Sequence, residues 1–383
     1  MRIVAACHRY SPVPGGSEKI AQILAEAAAR AGHRVTVVTQ AEPGTPAREE
    51  LNAVEVLRLP MRIRGGIRFP QQYLRTLRAL APDLLHVHGN RIWCADFYLP
   101  FARLFPWAQV GTGHGFYQYE VDRHPWDVWY FERYFPKVLA GLDTYVCDTE
   151  HERGQLLRWG FPASKLERIP LGADTAEFRT PPVPLDQVRA SWGLKAPLAA
   201  VYVGGFFPNK RVDRLVDALA AAGPEWGLVA IGRDLPGSPY SRADCAARAQ
   251  RLGVEMVAPG AVPRPEAVAS ILAADAIVLG SEYEGFGVVL AEALAAGRPF
   301  VSFAAGAARE MAESGAGRVV DSVGAFGTAL RELADRGVRD RMGAAGRAAS
   351  PEWSEGAMVR RYLALYERLA AKRAGSPAPT GAG

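Results

Sequence analysis

Two carboxylates, Glu284 and Glu292, stand eight positions apart across a turn that contains two glycines, Ser281-Glu-Tyr-Glu-Gly-Phe-Gly287. On one continuous helix they would lie about 80° apart. Glu284 is therefore read as a loop residue and Glu292 as part of the second turn of the following helix. Gly285 and Gly287 have no Cβ, so their amides can approach a ligand closely. They open a predicted helix, where free N–H groups and the dipole favour an anion. A carboxylate beside an anion site has little use for phosphate alone. It suits hydroxyls attached to that phosphate, as in a sugar nucleotide. Glu282 and Glu284 also fit an ordinary acidic first turn.

A second glycine loop, Gly204-Gly-Phe-Phe-Pro-Asn-Lys210-Arg211, joins a predicted strand, Leu198–Val203, to a helix from Val212. A lysine at that helix start gives a mobile point charge for a diphosphate. His114 follows a short strand and has a glycine on each side. It is expected at the carboxyl edge of a sheet, where open α/β sheets bind ligands. His86 and His88 end another strand, and a structural role for His86 is equally open. Gly15-Gly16 precede a helix read as Ser17–Ala31, capped by Ser17, and could present amides to phosphate.

These loops need strands and helices to hold them. Arg2–Ala6, the Ser17–Ala31 helix and Arg34–Thr39 form a βαβ unit, which indicates a doubly wound α/β domain. Ala276–Gly280 reads as a buried strand, Val288–Ala296 as a helix, and Pro299–Phe303 as the next strand. Thr180–Leu185 is proline-rich and suits a domain boundary. Met358–Lys372 places Met358, Tyr362, Leu365, Tyr366 and Leu369 at amphipathic helical spacing.

The chain has 383 residues, enough for two ordinary domains. Hydrophobic residues make up 49% and charged ones 22%, the balance of a globular protein with ample core. A net charge of +5 at this length does not indicate nucleic acid. The four cysteines are far apart and lack metal spacing, so reduced thiols and a cytoplasmic location are expected. No apolar run reaches transmembrane length. Arg58–Arg78 holds six arginines and no acid among apolar residues. It reads as a solvated basic face, with peripheral contact to an anionic inner-membrane surface as the rival. Nine of the 36 aromatics fall between Phe116 and Phe135, which suits an acceptor site or a core helix equally.

Glu-Gly-Phe-Gly at 284–287 followed by Glu292 resembles the E-x7-E motif of retaining glycosyltransferases with the GT-B fold, especially the glycogen-synthase-like family 4 (glycosyl transferases group 1). Gly15-Gly-Ser-Glu18 is similar to that family's Gly-Gly-x-Glu loop, and Thr112-Gly-His-Gly115 to its Thr-x-His-Gly. Gly306–Glu310 resembles its Gly-Gly-x-x-Glu, with Ala307 replacing a glycine. The resemblance implies an α/β fold of two Rossmann-like domains with parallel sheets facing an interdomain cleft. Residues 1–173 would form the acceptor side and 174–354 the donor domain. Helix 355–373 would pack back on the first domain, leaving 374–383 as a disordered tail.

It also implies roles. Glu284, Phe286 and the amides of Gly285 and Gly287 would hold the donor sugar. Lys210 would neutralise the leaving diphosphate, and Glu292 would bind ribose. His114 would touch the sugar near the bond being broken. Gly16, Gly205 and Val262, the last in a segment lining the nucleobase, complete the implied donor contacts. No cofactor is implied beyond the nucleoside-diphosphate sugar. No metal is expected either, because the chain has no Asp-x-Asp. The acceptor would be a glycan, a lipid-linked hydroxyl or a small molecule.

Two departures matter. Family members carry Asn where Leu171 stands, and Arg where Gly205 stands. Either Arg211 replaces that missing guanidinium, or Gly205 makes room for a bulkier donor. A sugar-nucleotide epimerase or a non-catalytic sugar-nucleotide-binding protein would use the same loops. Product analysis with and without an acceptor separates these readings.

Overall fold

The computed structural model describes residues 1–13, 15–64, 67–70, 72–89, 102, 104–116, 124–235 and 238–374, with the backbone alone at 62–64, 67–70 and 374. Of the expected tail, Ala374 ends the last helix, while 375–383 and the aromatic residues between 117 and 123 lie outside the described residues. The chain divides into two compact units, Met1–Pro170 with Met358–Gly383, and Leu171–Ala357. No helix among the described residues is long and apolar enough to cross a membrane.

In the first unit, strands β1 (Arg2–Ala6), β2 (Arg34–Gln40), β3 (Arg48–Leu51) and β4 (Val54–Leu59) precede a small hairpin. The hairpin is β5 (Met61–Arg64) with β6 (Ile67–Pro70). Then follow β7 (Leu84–His88), β8 (Ala108–Thr112), β9 (Thr144–Cys147) and β10 (Leu166–Arg168). The main sheet runs β10-β9-β8-β7-β1-β2-β4-β3 and is parallel except for β3 against β4. Its central strands are near-continuous apolar runs because helices cover both faces of such a sheet. The first helix spans Gly16–Arg30, so Ser17 lies inside it and Gly15 holds the cap position. The Ser17 hydroxyl donates instead to Glu18 at 2.9 Å.

The aromatic segment divides by burial. Phe116, Phe131 and Phe135 pack on one another and on Trp159 in the core, whereas Trp126 and Trp129 are exposed. Burying one such phenyl ring stabilises the fold by about 1.5–3 kcal/mol. The basic stretch also divides. Arg58 is 3% exposed; it is paired with Glu49 of β3 and donates to the carbonyls of Pro46 and Ser11. It therefore does not belong to a solvated face. Arg75 and Arg78 are exposed, while the side chains of Arg62, Arg64 and Arg68 lie outside the described residues.

The second unit holds β11 (Leu198–Val203), β12 (Trp226–Ile231), β13 (Met256–Gly260), β14 (Ala276–Leu279), β15 (Phe300–Phe303) and β16 (Gly317–Val320). All pair in parallel, in the order β13-β12-β11-β14-β15-β16. The order reverses between β11 and β14. Open α/β sheets bind ligands beyond the carboxyl ends of strands at such a point.

The helix Glu355–Ala374 closes the described chain. Met358, Tyr362, Leu365, Tyr366 and Leu369 are buried, as their spacing predicts. Its two tyrosines reach the first unit's sheet. Tyr366 Oη lies 2.6 Å from His86 Nδ1, and Tyr362 Oη lies 3.0 Å from the Thr112 hydroxyl. Thr112 in turn lies 2.8 Å from His86 Nε2. Burial, helped by neighbouring His114, holds the His86 pKa down at about 3.

The sign of the resulting pH dependence is fixed. Below the ordinary histidine pKa of about 6.5, the unfolded chain takes a proton at His86 that the folded chain refuses. The stability contribution is whole above that pH and is lost as pH falls toward 3. Comparing urea unfolding of parent and His86→Gln, the parent's relative stability is expected to fall by about 1.4 kcal/mol per pH unit below 6.5. A difference that stays constant from pH 7 to 5 would show that His86 is not held neutral.

Candidate functional site

Two loops meet where the second unit's strand order reverses. One follows β11 and carries Gly204–Arg211; the other follows β14 and carries Gly280–Gly287. Adjacent parallel pairing, Ala200 with Ala276 and Val201 with Ile277, brings both to one sheet edge. There the loops are joined directly. The Glu282 amide donates to the Asn209 carbonyl at 2.9 Å, and the Asn209 side chain donates to the Tyr283 carbonyl at 3.1 Å. Gly280 allows the approach, since a Cβ there would lie 2.6 Å from the Arg211 carbonyl oxygen.

The charged groups line up along this seam. Lys210 Nζ donates to Glu284 Oε2 at 2.5 Å, and the Ser281 hydroxyl donates to Glu284 Oε1 at 2.6 Å. Both carboxylate oxygens of Glu284 thus have a donor. Arg211 has a positive φ of 46° and caps the helix Val212–Ala222. Its guanidinium is bidentate on Asp213, at 3.0 Å through both Nε and Nη2, and is also paired with Glu282. These carboxylates push the Arg211 pKa up, the Asp213 hydrogen bond foremost. Gly205 lies just upstream, and its carbonyl accepts from the Tyr202 hydroxyl at 2.8 Å.

Gly287, at φ 87°, caps the helix Val288–Ala296. Phe286 is buried against Trp353, and its carbonyl accepts from the Ala307 amide at 2.9 Å. Gly306 has φ 55°, and a Cβ there would lie 2.3 Å from the Phe286 oxygen. The Gly306 segment is therefore a backbone clamp on the Glu284 loop.

Glu292 sits on the helix rather than in the loop. Arg264 Nη1 approaches its Oε1 at 2.7 Å, while Arg264 Nη2 donates to Glu177 at 2.5 Å. Burial pushes the Glu292 pKa up, and Arg264 pulls against that shift. Glu284 and Glu292 thus have separate cations. Val262 is half-buried in the turn between β13 and the Arg264–Ala273 helix.

His114 and Gly16 belong to the first unit. His114 follows β8 with φ 61°, a left-handed conformation uncommon outside glycine. Its Nδ1 lies 3.3 Å from Asp148 Oδ2 and its Nε2 lies 3.4 Å from His88 Nδ1. Behind them, burial and the Asp148 charge hold the Glu152 carboxyl well above the usual range. Gly16 opens its helix with open space on its Cα, while the Glu18 carboxylate folds over Gly15.

Asp148, Glu152, Arg264 and Glu177 escaped the sequence reading. Asp148 had a visible signal, since it follows β9 just as His114 follows β8. Arg264 had none, because its partners are 87 and 28 positions away.

The sequence model of Glycosyltransferase Family 4 matches residues 14–177, and that of Glycosyl transferases group 1 matches residues 186–349. A GDP-mannose-dependent alpha-(1-6)-phosphatidylinositol dimannoside mannosyltransferase of Mycobacterium tuberculosis is 27% identical over 373 residues, covering 91% of this chain and 92% of that protein. A D-inositol 3-phosphate glycosyltransferase of Xylanimonas cellulosilytica is 33% identical over 260 residues, covering 62% and 60%. Among solved structures, sucrose-phosphate synthase from Thermosynechococcus elongatus superposes with a TM-score of 0.78 at 21% identity, over 97% of this chain and 100% of that one. HepE of Anabaena, in complex with UDP and glucose, gives 0.77 at 18%, over 96% and 100%. With both halves matched in order and the whole fold shared, this chain belongs to the family 4 glycosyltransferases, enzymes of the GT-B fold that draw on a nucleotide-sugar donor.

Proposed function

We propose that the enzyme moves a hexosyl group, with retention, from a GDP-sugar of the mannose type to a hydroxyl on a lipid-carried or inositol-phosphate acceptor. The observation that carries the donor side is the Lys210–Glu284–Ser281 cluster at the strand-order reversal of the second unit. The names of the relatives from Mycobacterium tuberculosis and Xylanimonas cellulosilytica support the choice of donor and acceptor.

On this reading Glu284 accepts hydrogen bonds from the transferred sugar, beside the amides of Gly285, Phe286 and Gly287. Ser281 fixes one carboxylate oxygen so that the other can serve the ligand. Lys210 turns from Glu284 to the diphosphate as negative charge develops there, where a placed cation lowers the barrier. Glu292 holds ribose, oriented by Arg264, with Val262 alongside the base. Arg211 keeps its charge at the loop but shares it with Asp213 and Glu282. In the first unit, His114 serves the reacting sugar as an imidazole oriented by Asp148. No covalent nucleophile is assigned.

Three substitutions test the division of labour. Glu284→Ala is expected to cut kcat strongly, while Glu292→Ala mainly weakens GDP and donor binding. His114→Ala should cut kcat and leave GDP affinity, read by calorimetry, within a factor of about two. Were all three variants to lose only GDP affinity, the assignment of separate roles would be wrong.

A cation supplied by Lys210 and by helix N-termini takes the place of a metal on the diphosphate in this proposal. Transfer from GDP-mannose is therefore expected to continue in excess EDTA. Complete loss, recovered on adding manganese, would refute that arrangement.

A further inference from the structure

We infer that Arg233, on the loop after β12, supplies the second cation for the donor's diphosphate, in the place left by Gly205. This rests on the reading of the second unit as the donor-binding one.

A departing diphosphate carries more negative charge than one lysine offsets, and a site that works without metal needs another cation nearby. Arg211 is adjacent in sequence, but its guanidinium is bidentate on Asp213 and paired with Glu282. Arg214 approaches Glu282 at 3.7 Å and lies over the Phe303 ring. Recruiting either would strip a carboxylate of its partner.

Arg233 differs. It is exposed, and among the described residues no carboxylate lies within ion-pair distance of it. Its backbone is fixed beside the Gly205 loop. The Gly204 amide donates to the Ile231 carbonyl and the Phe206 amide to the Arg233 carbonyl, each at 2.9 Å. The extensions of β11 and β12 thus run side by side past the sheet edge.

Phe207 connects the two positions. A Cβ on Gly205 would lie 2.6 Å from the Phe207 ring, so that ring covers the space where a side chain at 205 would begin. The Arg233 guanidinium carbon lies 5.5 Å from the same ring's centroid, within cation–π range. The ring offers the guanidinium a resting face but no counter-charge. An arginine at 205 and Phe207 could not both keep these places; with glycine there, the cation comes from the next strand. This is the geometry of a relocated arginine, whose planar fork can take two phosphate oxygens at once.

The test is calorimetry on the full chain with GDP, GMP and, as the second base, UDP. The parent is expected to bind GDP more tightly than GMP. Arg233→Ala should lose roughly tenfold or more in GDP affinity, the scale of a charge-assisted contact, and should narrow the GDP–GMP gap. Arg233→Lys should recover part of the loss, and the salt dependence of GDP binding should flatten in Arg233→Ala. Arg233 is exposed, so these variants should fold, which their thermal unfolding checks. If Arg233→Ala binds GDP as the parent does while Lys210→Ala loses affinity, the inference is overturned and the donor reading stands. If the parent binds neither GDP nor UDP, both fall together.

Discussion

The candidate donor site depends on the direct stitching of two distant loops, Asn209 to Glu282 and Tyr283, 73 and 74 positions apart. Parallel pairing of β11 with β14 brings the loops near each other, and the Asn209 bonds set their register. Lys210 and Glu284 then meet because their backbones already do. The ion pairs are not what holds this arrangement. Lys210 and Glu284 are only 21% and 9% exposed, so the attraction between them is largely offset by the cost of taking both charges out of water. Their work is orientation: Ser281 and Lys210 each take one oxygen of Glu284, and a carboxylate fixed at both oxygens has one direction in which to face a ligand. The Gly306 clamp fixes the other flank of the same loop through Phe286.

The first unit uses polar groups differently. Its cluster is buried, and burial makes unpaired polarity costly. His86 is satisfied by Tyr366 and Thr112 and held neutral, so it reads as structure. His88 and His114 stack with their rings 7° from parallel, and Asp148 faces the outer one. The three histidines thus grade from core to edge. The outermost alone combines a left-handed backbone, glycine neighbours and a carboxylate partner.

Much of this was legible in the sequence, and for physical reasons. Arg2–Ala6, Leu198–Val203 and Val288–Ala296 stood out because buried parallel strands and their covering helices are apolar runs with sharp ends. The motifs marked the loops because a ligand-facing turn needs glycine and a charge together. Long-range partners were not legible. The β3–β4 hairpin turns through Asn52-Ala53, both at positive φ, where an alanine replaces the glycine that usually announces such a turn. Without that hairpin, Glu49 had no place beside Arg58, and a buried arginine looked like surface. Arg264 was hidden in the same way, since only the fold brings its carboxylate partners near. The cap expected at Ser17 lies two positions earlier, at Gly15, because a glycine pair can end a loop as readily as a serine can cap a helix.

The closing helix carries a consequence for the order of assembly. Residues 1–170 hold the whole eight-stranded sheet, yet Tyr362 and Tyr366, which cover its buried His86 and Thr112, arrive only after the entire second unit has been made. During synthesis the later-made half can finish its own core first, because Leu171–Ala357 is continuous in sequence. The earlier-made half must wait with a strip of apolar and imidazole surface open to water. The nascent chain's period of greatest exposure to misfolding and to chaperones therefore belongs to its first-synthesised part, and it ends when this helix docks.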